Sequence, residues 1–307
     1  MKITIGTRGS KLALWQTEFV QAKLKAVAPE IEFEVKIIKT KGDEITDAAL
    51  SQIGDKGLFT QRIEEAILDQ EVDIAVHSLK DLPTKLPDGL ILGCVLEREQ
   101  VQDVFISKNQ VKLKKLPKNA VIATGSLRRK AQLLHFRRDL QIIDLRGNID
   151  TRFRKFDAGT MDGMVLAYAG VARMNYGSRI TENIPINLIM PAVGQGAVAI
   201  EIRAQDPKVW TLVRKINHGP TELAVTAERA LLHKLEGGCH IPIGALAELV
   251  DGKLKLQAII SNLDGTQMIR DYLEGEPERA GLIGLRLAQR LLEQGGDKIL
   301  AELNAKS

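Results

Sequence analysis

The residues best equipped for chemistry are one cysteine, one aspartate and a set of arginines. Cys239 follows a Gly-Gly pair in LEGGCHIPIG (235–244), and a cysteine placed there, where a helix ends, is presented rather than packed. It can be read as a small hydrophobe in a domain contact or as a nucleophile or attachment point on a hinge. Asp81 closes VDIAVHSLKD (72–81), beside Ser78 and Lys80. The arginines are Arg8 in KITIGTRGS, Arg128 and Arg129 in AVIATGSLRRK, and Arg146, Arg152 and Arg154 in QIIDLRGNIDTRFRK. A guanidinium holds carboxylate or phosphate through a planar, two-pronged contact. The N–H groups of the helix that begins after Thr124-Gly125-Ser126 add a further anion site. So many cations suit a ligand with several anionic groups. A carboxylate among them, Asp81, is wasted on anions; it makes sense if the ligand also carries N–H donors or develops positive charge during reaction. Each residue also has a plainer reading. An exposed ion pair such as Lys80 with Asp81 is worth little, Thr124 and Ser126 can be helix caps, and Ser78 can satisfy backbone groups at a strand end. The histidines form no triad, and His77 faces the other side of its strand from Ser78.

These residues share a position in the pattern of elements: each lies where a strand runs out. KITIGT reads as a strand, and KLALWQTEFVQAKLKAV as a helix with Leu12, Trp15, Phe19 and Ala22 at helical spacing. IEFEVKIIKT is a strand with Ile31, Phe33, Val35 and Ile37 on one face. A long, polar, Gly-punctuated loop over 41–57 leads to the helix TQRIEEAILDQ and the apolar strand VDIAVHS, suited to the interior of a parallel sheet. A second series repeats the theme: DVFISK, AVIATGS, the helix LRRKAQLLHF, QIIDLRG, a helix over NIDTRFRKFDAG, then MDGMVLAYAG and a further helix. AVGQGAVAIEIR is a strand with glycine hinges that returns to the first domain. Beyond HGPT, a helix (TELAVTAERALLHKL), strands joined at Asp-Gly turns and a closing amphipathic helix form a separate α+β domain. The expected fold is α/β: two doubly wound domains plus a C-terminal α+β domain. Domain 1 spans 1–96 and 197–215, domain 2 spans 97–196, and domain 3, carrying the cysteine, spans 216–307. Ligands of open α/β sheets bind beyond the carboxyl ends of the strands, so the cations are expected to face a cleft between the first two domains.

Composition narrows the function. A net charge of +4 from 43 basic and 39 acidic residues gives no global field for nucleic acid, and at 4% aromatics there is little material for base stacking. No apolar run reaches the length of a membrane span, and MKITIGTRGS is no signal peptide. Two cysteines cannot build a disulfide framework, and neither CxxC nor HExxH occurs, so no metal is expected. The expectation is a cytoplasmic enzyme without nucleic-acid or membrane partners.

The run ERALLHKLEGGCHIPIG (Glu228–Gly244) resembles the cofactor-attachment signature of the porphobilinogen deaminase family. The likeness extends through TRGSKLALWQ, GDKGLFT, DIAVHSLKDLP, ATGSLRR, LRGNIDTR and PAVGQGA, and so covers essentially the whole chain. The resemblance implies a transferase of tetrapyrrole (haem) biosynthesis that joins four porphobilinogen molecules into hydroxymethylbilane, releasing ammonia at each step. It implies a dipyrromethane cofactor held as a thioether on Cys239, which primes the chain and is retained. It gives Asp81 the pyrrole N–H groups and the cationic azafulvene, with Lys80 and Arg8 beside it in catalysis. Cofactor contacts would be Ser78, Lys80, Asp81, Thr124, Ser126, Arg128, Arg129 and Arg146. Substrate contacts would be Arg8, Gln16, Lys56, Phe59, Arg146, Arg152 and Arg173, with Lys56 and Phe59 on a mobile loop and its edge. The implied fold has three domains, the first two like type-II periplasmic binding proteins, in a monomer. Gln61-Arg62 stands where many relatives carry Lys-Glu, a departure on a helix surface. Two other functions fit parts of the pattern. A non-enzymatic binder of small polyanions leaves Asp81 and Cys239 without a role, and a nucleic-acid binder using RRK and RFRK conflicts with the balanced charge.

Overall fold

The computed structural model describes residues 2–40, 60–235 and 241–305. The chain divides into two compact units, one formed by Met1–Glu99 with Gly196–Leu223 and the other by Gln100–Gln195 with Ala224–Ser307. In chain order the first unit begins β1 (Lys2–Thr7), α1 (Lys11–Val27), β2 (Glu32–Ile37), α2 (Gln61–Leu68), β3 (Ile74–Ser78) and β4 (Leu90–Val95). The second unit opens with β5 (Asp103–Ser107), β6 (Val121–Ala123), α3 (Leu127–Phe136), β7 (Gln141–Ile143), α4 (Ile149–Ala158), β8 (Gly163–Ala167), α5 (Tyr168–Arg173) and β9 (Glu182–Asn183). The chain then re-enters the first unit as β10 (Val198–Arg203) and α6 (Pro207–Arg214). Helix α7 (Gly219–Lys234) leads into β11 (Ile243–Val250), β12 (Lys253–Ser261), β13 (Met268–Gly275), α8 (Ala280–Leu291) and α9 (Asp297–Asn304).

The first sheet has the order β2-β1-β3-β10-β4 and the second β7-β6-β8-β5-β9. In each, three parallel strands are followed by an antiparallel one: β10 against β3 and β4, β5 against β8 and β9. The sheets are therefore mixed, and they share one topology. The glycines of AVGQGA stay outside the strand, which starts at Val198 and, as expected, returns to the first sheet. Ile3 and Ile5 on β1, Val20 and Leu24 on α1, and Ile200 and Ile202 on β10 make the first core, each side chain worth about 1.5–3 kcal/mol when fully buried. In the second sheet one face buries Val104, Ile106, Phe153, Met164 and Leu166 and the other Phe105, Ile122, Leu133 and Val165, the period-two alternation of strands covered on both sides.

Two expected faces shift. The buried stripe of α1 is Gln16, Thr17, Val20 and Leu24, while Trp15 stacks on Phe19 at its flank, ring centroids 5.3 Å apart. Apolar pattern alone misses a stripe whose first turn is polar. On β2 only Phe33 is buried, while Val35 and Ile37 stay exposed, because β2 is the edge of its sheet.

The third sheet is the antiparallel β11-β12-β13. Asp251 and Gly252, both at positive φ (49° and 77°), form the tight turn between β11 and β12. The second Asp-Gly lies instead within a wider loop, Asn262–Gln267, closed by Asn262 N–H donating to the Gln267 carbonyl at 3.1 Å. Helix α8 lies along β12 and β13. Met190, Leu246 and Ile259 are buried together, with Met268 against them.

Candidate active site

Strands β1 and β3 are parallel neighbours, so their carboxyl ends reach the same edge of the first sheet. At the end of β1 come Arg8, half-buried, and Ser10, which caps α1 by accepting the Ala13 N–H at 3.3 Å. At the end of β3, Ser78 leads into the 3-10 turn Leu79–Asp81. That turn is anchored: Leu79 is 1% exposed, and its N–H donates to the Ala197 carbonyl on the chain entering β10. Lys80 stands half-buried beyond it and Asp81 is exposed. Gln16, 2% exposed on α1, donates its amide N–H to Ser78 Oγ at 2.9 Å. The structure thus joins these two expected site residues to each other and gives Gln16 the role of fixing Ser78. His77, on the other face as expected, meets Glu201 at 3.1 Å inside the unit.

An acid with no motif around it is buried in the same unit. Glu64 on α2 is 6% exposed; burial chiefly, with the nearby Glu201 carboxylate adding to it, raises its pKa against a lowering contribution from Thr60.

In the second unit, β7, β6 and β8 are parallel neighbours, and their carboxyl ends share an edge in the same way. Thr124 and Ser126 take up the capping role. Thr124 Oγ1 accepts the Ser126 N–H at 3.3 Å, and Ser126 Oγ accepts the Arg129 N–H at 3.4 Å as N-cap of α3. Arg146, half-buried beyond β7, donates from Nε to Asp144 at 2.5 Å. Arg152 on α4 donates from Nε to the Gly147 carbonyl at 2.8 Å, and Arg173 ends α5 half-buried.

Arg128 and Arg129 lie deeper than the other expected cations. Each is 5% exposed, and both reach Asp103, the fully buried first residue of β5, at 2.9 and 2.7 Å. Arg128 also donates to the Met190 carbonyl, Arg129 to that of Val165, and Gln195 adds a third donor to Asp103 at 3.0 Å. The buried carboxylate orients both guanidiniums, while Arg129 Nε is left without a hydrogen-bond partner. What remains is a charge: two guanidiniums against one carboxylate leave one net positive charge behind the strand ends. Burial pushes the Asp103 carboxyl up, but the two guanidiniums outweigh it and hold the group well below the usual carboxylate range. Asp103 was missed because one acid heading an apolar strand carries no motif; its signal is an acid at the start of a run otherwise fully buried.

Glu228 opens the signature run. It is fully buried, and its carboxylate accepts the N–H groups of Gly194 at 2.8 Å and Ala247 at 2.9 Å, tying α7 to PAVGQGA and to β11. Cys239, Lys56 and Phe59 lie outside the described residues. The other cysteine, Cys94 on β4, is 1% exposed, and burial pushes its thiol up to about 12, which makes it inert at neutral pH.

Residues 3–211 match the sequence model of the porphobilinogen deaminase dipyromethane cofactor binding domain, and residues 222–293 that of the porphobilinogen deaminase C-terminal domain. A porphobilinogen deaminase of Desulforudis audaxviator is 50% identical over 304 residues, covering 99% of this chain and 98% of its own. One from Chlorobium chlorochromatii is 51% identical over 306 residues, covering 98% of each. Among solved structures, a probable amino-acid ABC transporter extracellular-binding protein from Bacillus subtilis aligns with a TM-score of 0.42 at 12% identity, over 70% of this chain and 90% of its own. At that score the likeness adds nothing to what the sheets themselves show.

Proposed function

The chain belongs to the porphobilinogen deaminase family, and on that premise we propose that it joins four porphobilinogen molecules into hydroxymethylbilane from a dipyrromethane primer on Cys239. The observation that carries the choice of cysteine is the state of the other one. Cys94 is enclosed in β4 with its thiol pKa raised to about 12, and a thioether forms from an accessible thiolate. That leaves Cys239 of the two cysteines in the chain.

The donor set suits a dipyrromethane. Such a group brings carboxylate side chains for cations and ring N–H groups for an acceptor, and when bound it would supply the free pyrrole carbon to which the first unit is joined. Arg8, Lys80, Arg146, Arg152 and Arg173 are the cations we assign to carboxylates. The net positive triad of Arg128, Arg129 and Asp103 adds potential of the same sign, and Arg128 and Arg129 stay assigned to the cofactor. Asp81 takes the N–H groups. It sits exposed on a turn whose first residue, Leu79, is locked into the core, so its backbone is fixed before any positive charge develops, which favours electrostatic stabilisation. Ser78 is oriented by Gln16, and Thr124 and Ser126 shape the start of α3.

The three-domain division at 1–96 with 197–215, 97–196 and 216–307 belongs to the same proposal, supported by three separate sheets. So does a cytoplasmic monomer whose partner is porphobilinogen.

The test is Asp81→Asn, which keeps size but removes the charge and turns one acceptor into a donor. With the fold intact and the cofactor attached, steady-state turnover should fall by about 10²–10³-fold, the usual loss when one electrostatic stabiliser is removed. Near-normal turnover would take Asp81 out of the mechanism.

A further inference from the structure

The second unit holds a cavity of about 320 Å³ between α3, the segment before Met190, and β13, lined by His135, Phe136, Asn187, Leu188, Met268 and Arg270, with Gln132 at its side. None of these residues belongs to the site described above. Its walls are fixed by bonds. Gln132, 1% exposed, accepts the Met190 N–H at 2.7 Å and donates to the Arg128 and Met190 carbonyls. The loop between β12 and β13 is pinned onto α3 at Gly265, whose carbonyl meets His135 Nδ1 at 2.9 Å and accepts from Arg138 at 3.2 Å. Gly265 has a φ of 68°, and a Cβ there would lie 2.1 Å from the Ala131 carbonyl oxygen, so the loop sits as close to the helix as backbone allows.

Arg270 is the unusual member. It makes no ion pair among the described residues, although burial of part of its length lowers its pKa. No acid lines the cavity, and Asp271, the next residue on the strand, is engaged by Arg290 and Gln294. Met268 and Arg270, two residues apart on one strand, share a face. An exposed guanidinium at the cavity mouth with no ion-pair partner among the described residues, an amide at Asn187 and an apolar wall of Phe136, Leu188 and Met268 define complementary chemistry: an anion of planar shape for the guanidinium fork and a hydrocarbon body for the wall.

We propose that this cavity binds a small organic carboxylate with an apolar body, held by Arg270 and Asn187 against Phe136, Leu188 and Met268. Inorganic phosphate has no use for the apolar wall, and an uncharged isostere has none for the guanidinium.

The test uses the protein as purified, with its cofactor in place, labelled at the methionine methyls. Benzoate is the probe, with benzamide and inorganic phosphate as comparisons. Benzoate should shift the Met268 methyl saturably, with a Kd on the order of 1 mM, as befits so small a ligand. Benzamide and phosphate at equal concentration should leave Met268 in place. Arg270→Gln should weaken the benzoate effect at Met268 about tenfold or more, while the Met161 and Met164 resonances, unchanged from those of the parent, report an intact fold. Benzoate bound at the cations of the catalytic site would survive that substitution and so is distinguished. No saturable shift of Met268 with benzoate, an equal shift with benzamide or phosphate, or an undiminished shift in Arg270→Gln would each overturn the proposal.

Discussion

Replacing Asp103 by Asn tests the buried triad. The carboxylate is fully buried and receives Arg128 at 2.9 Å, Arg129 at 2.7 Å and Gln195 at 3.0 Å. Asparagine keeps the volume but removes the only negative charge in the group. It also turns one acceptor into an N–H donor that faces a guanidinium. Two cations are then left together out of water, and breaking a buried pair in this way costs about 3–5 kcal/mol. The comparison is Asp157→Asn. Asp157 pairs with Arg179 at 2.5 Å, but the two side chains are 53% and 38% exposed, and such a surface pair is worth about 0–1 kcal/mol. Urea unfolding at neutral pH, followed by a probe in the second unit, should therefore move far more for Asp103→Asn than for Asp157→Asn. High salt should erase the small effect and leave the large one. The pH dependence has a definite sign. The folded Asp103 binds its proton more weakly than the unfolded one, so its contribution is complete above the unfolded pKa of about 3.9 and is lost as pH falls below that toward the lowered folded value. If Asp103→Asn costs less than about 1 kcal/mol at neutral pH, the triad is not the buried charge cluster the reasoning requires.

Other consequences can be checked separately. Gln16→Ala should destabilise the protein by about 1–3 kcal/mol through the stranded Ser78 hydroxyl and should lower turnover as well; wild-type stability and rate would detach Gln16 from the site. Glu64 carries a raised pKa, so its folded form takes up a proton more readily and stability falls as pH rises from about 4.3 upward. Glu64→Gln should therefore raise the unfolding midpoint at neutral pH, with the gain vanishing below about pH 4; an equal gain at both pH values would contradict the assignment. In the holoprotein, a thiol reagent should find no reactive cysteine until urea exposes Cys94, and fast labelling of the native protein would contradict its burial.

Most of the elements were legible because their patterns are local. Ser10, Ser126 and Asn148 each stand before a helix and cap it, and Asp251-Gly252 makes its turn. The carboxyl-end placement of Arg8, Ser78, Lys80, Asp81 and Arg146 followed from strand order alone. Long-range pairing was hidden. Asp103 finds Arg128 and Arg129 about 25 residues on, and nothing in DVFIS marks its acid as a partner of SLRR. The antiparallel entry of β5 and β10 depends on how the chain passes between the two units, which periodicity does not encode. Gln16 was placed at the site by family resemblance, and its role of holding Ser78 emerged only once α1 and β3 lay side by side.

The central claim is a covalent primer on Cys239, and the intact mass of the purified protein tests it most directly. The account predicts an excess over the bare chain equal to two porphobilinogen units less two ammonias, carried by the peptide that contains Cys239 and absent from Cys239→Ser. A bare-chain mass that stays bare after incubation with porphobilinogen, or an adduct that persists in Cys239→Ser, would contradict it.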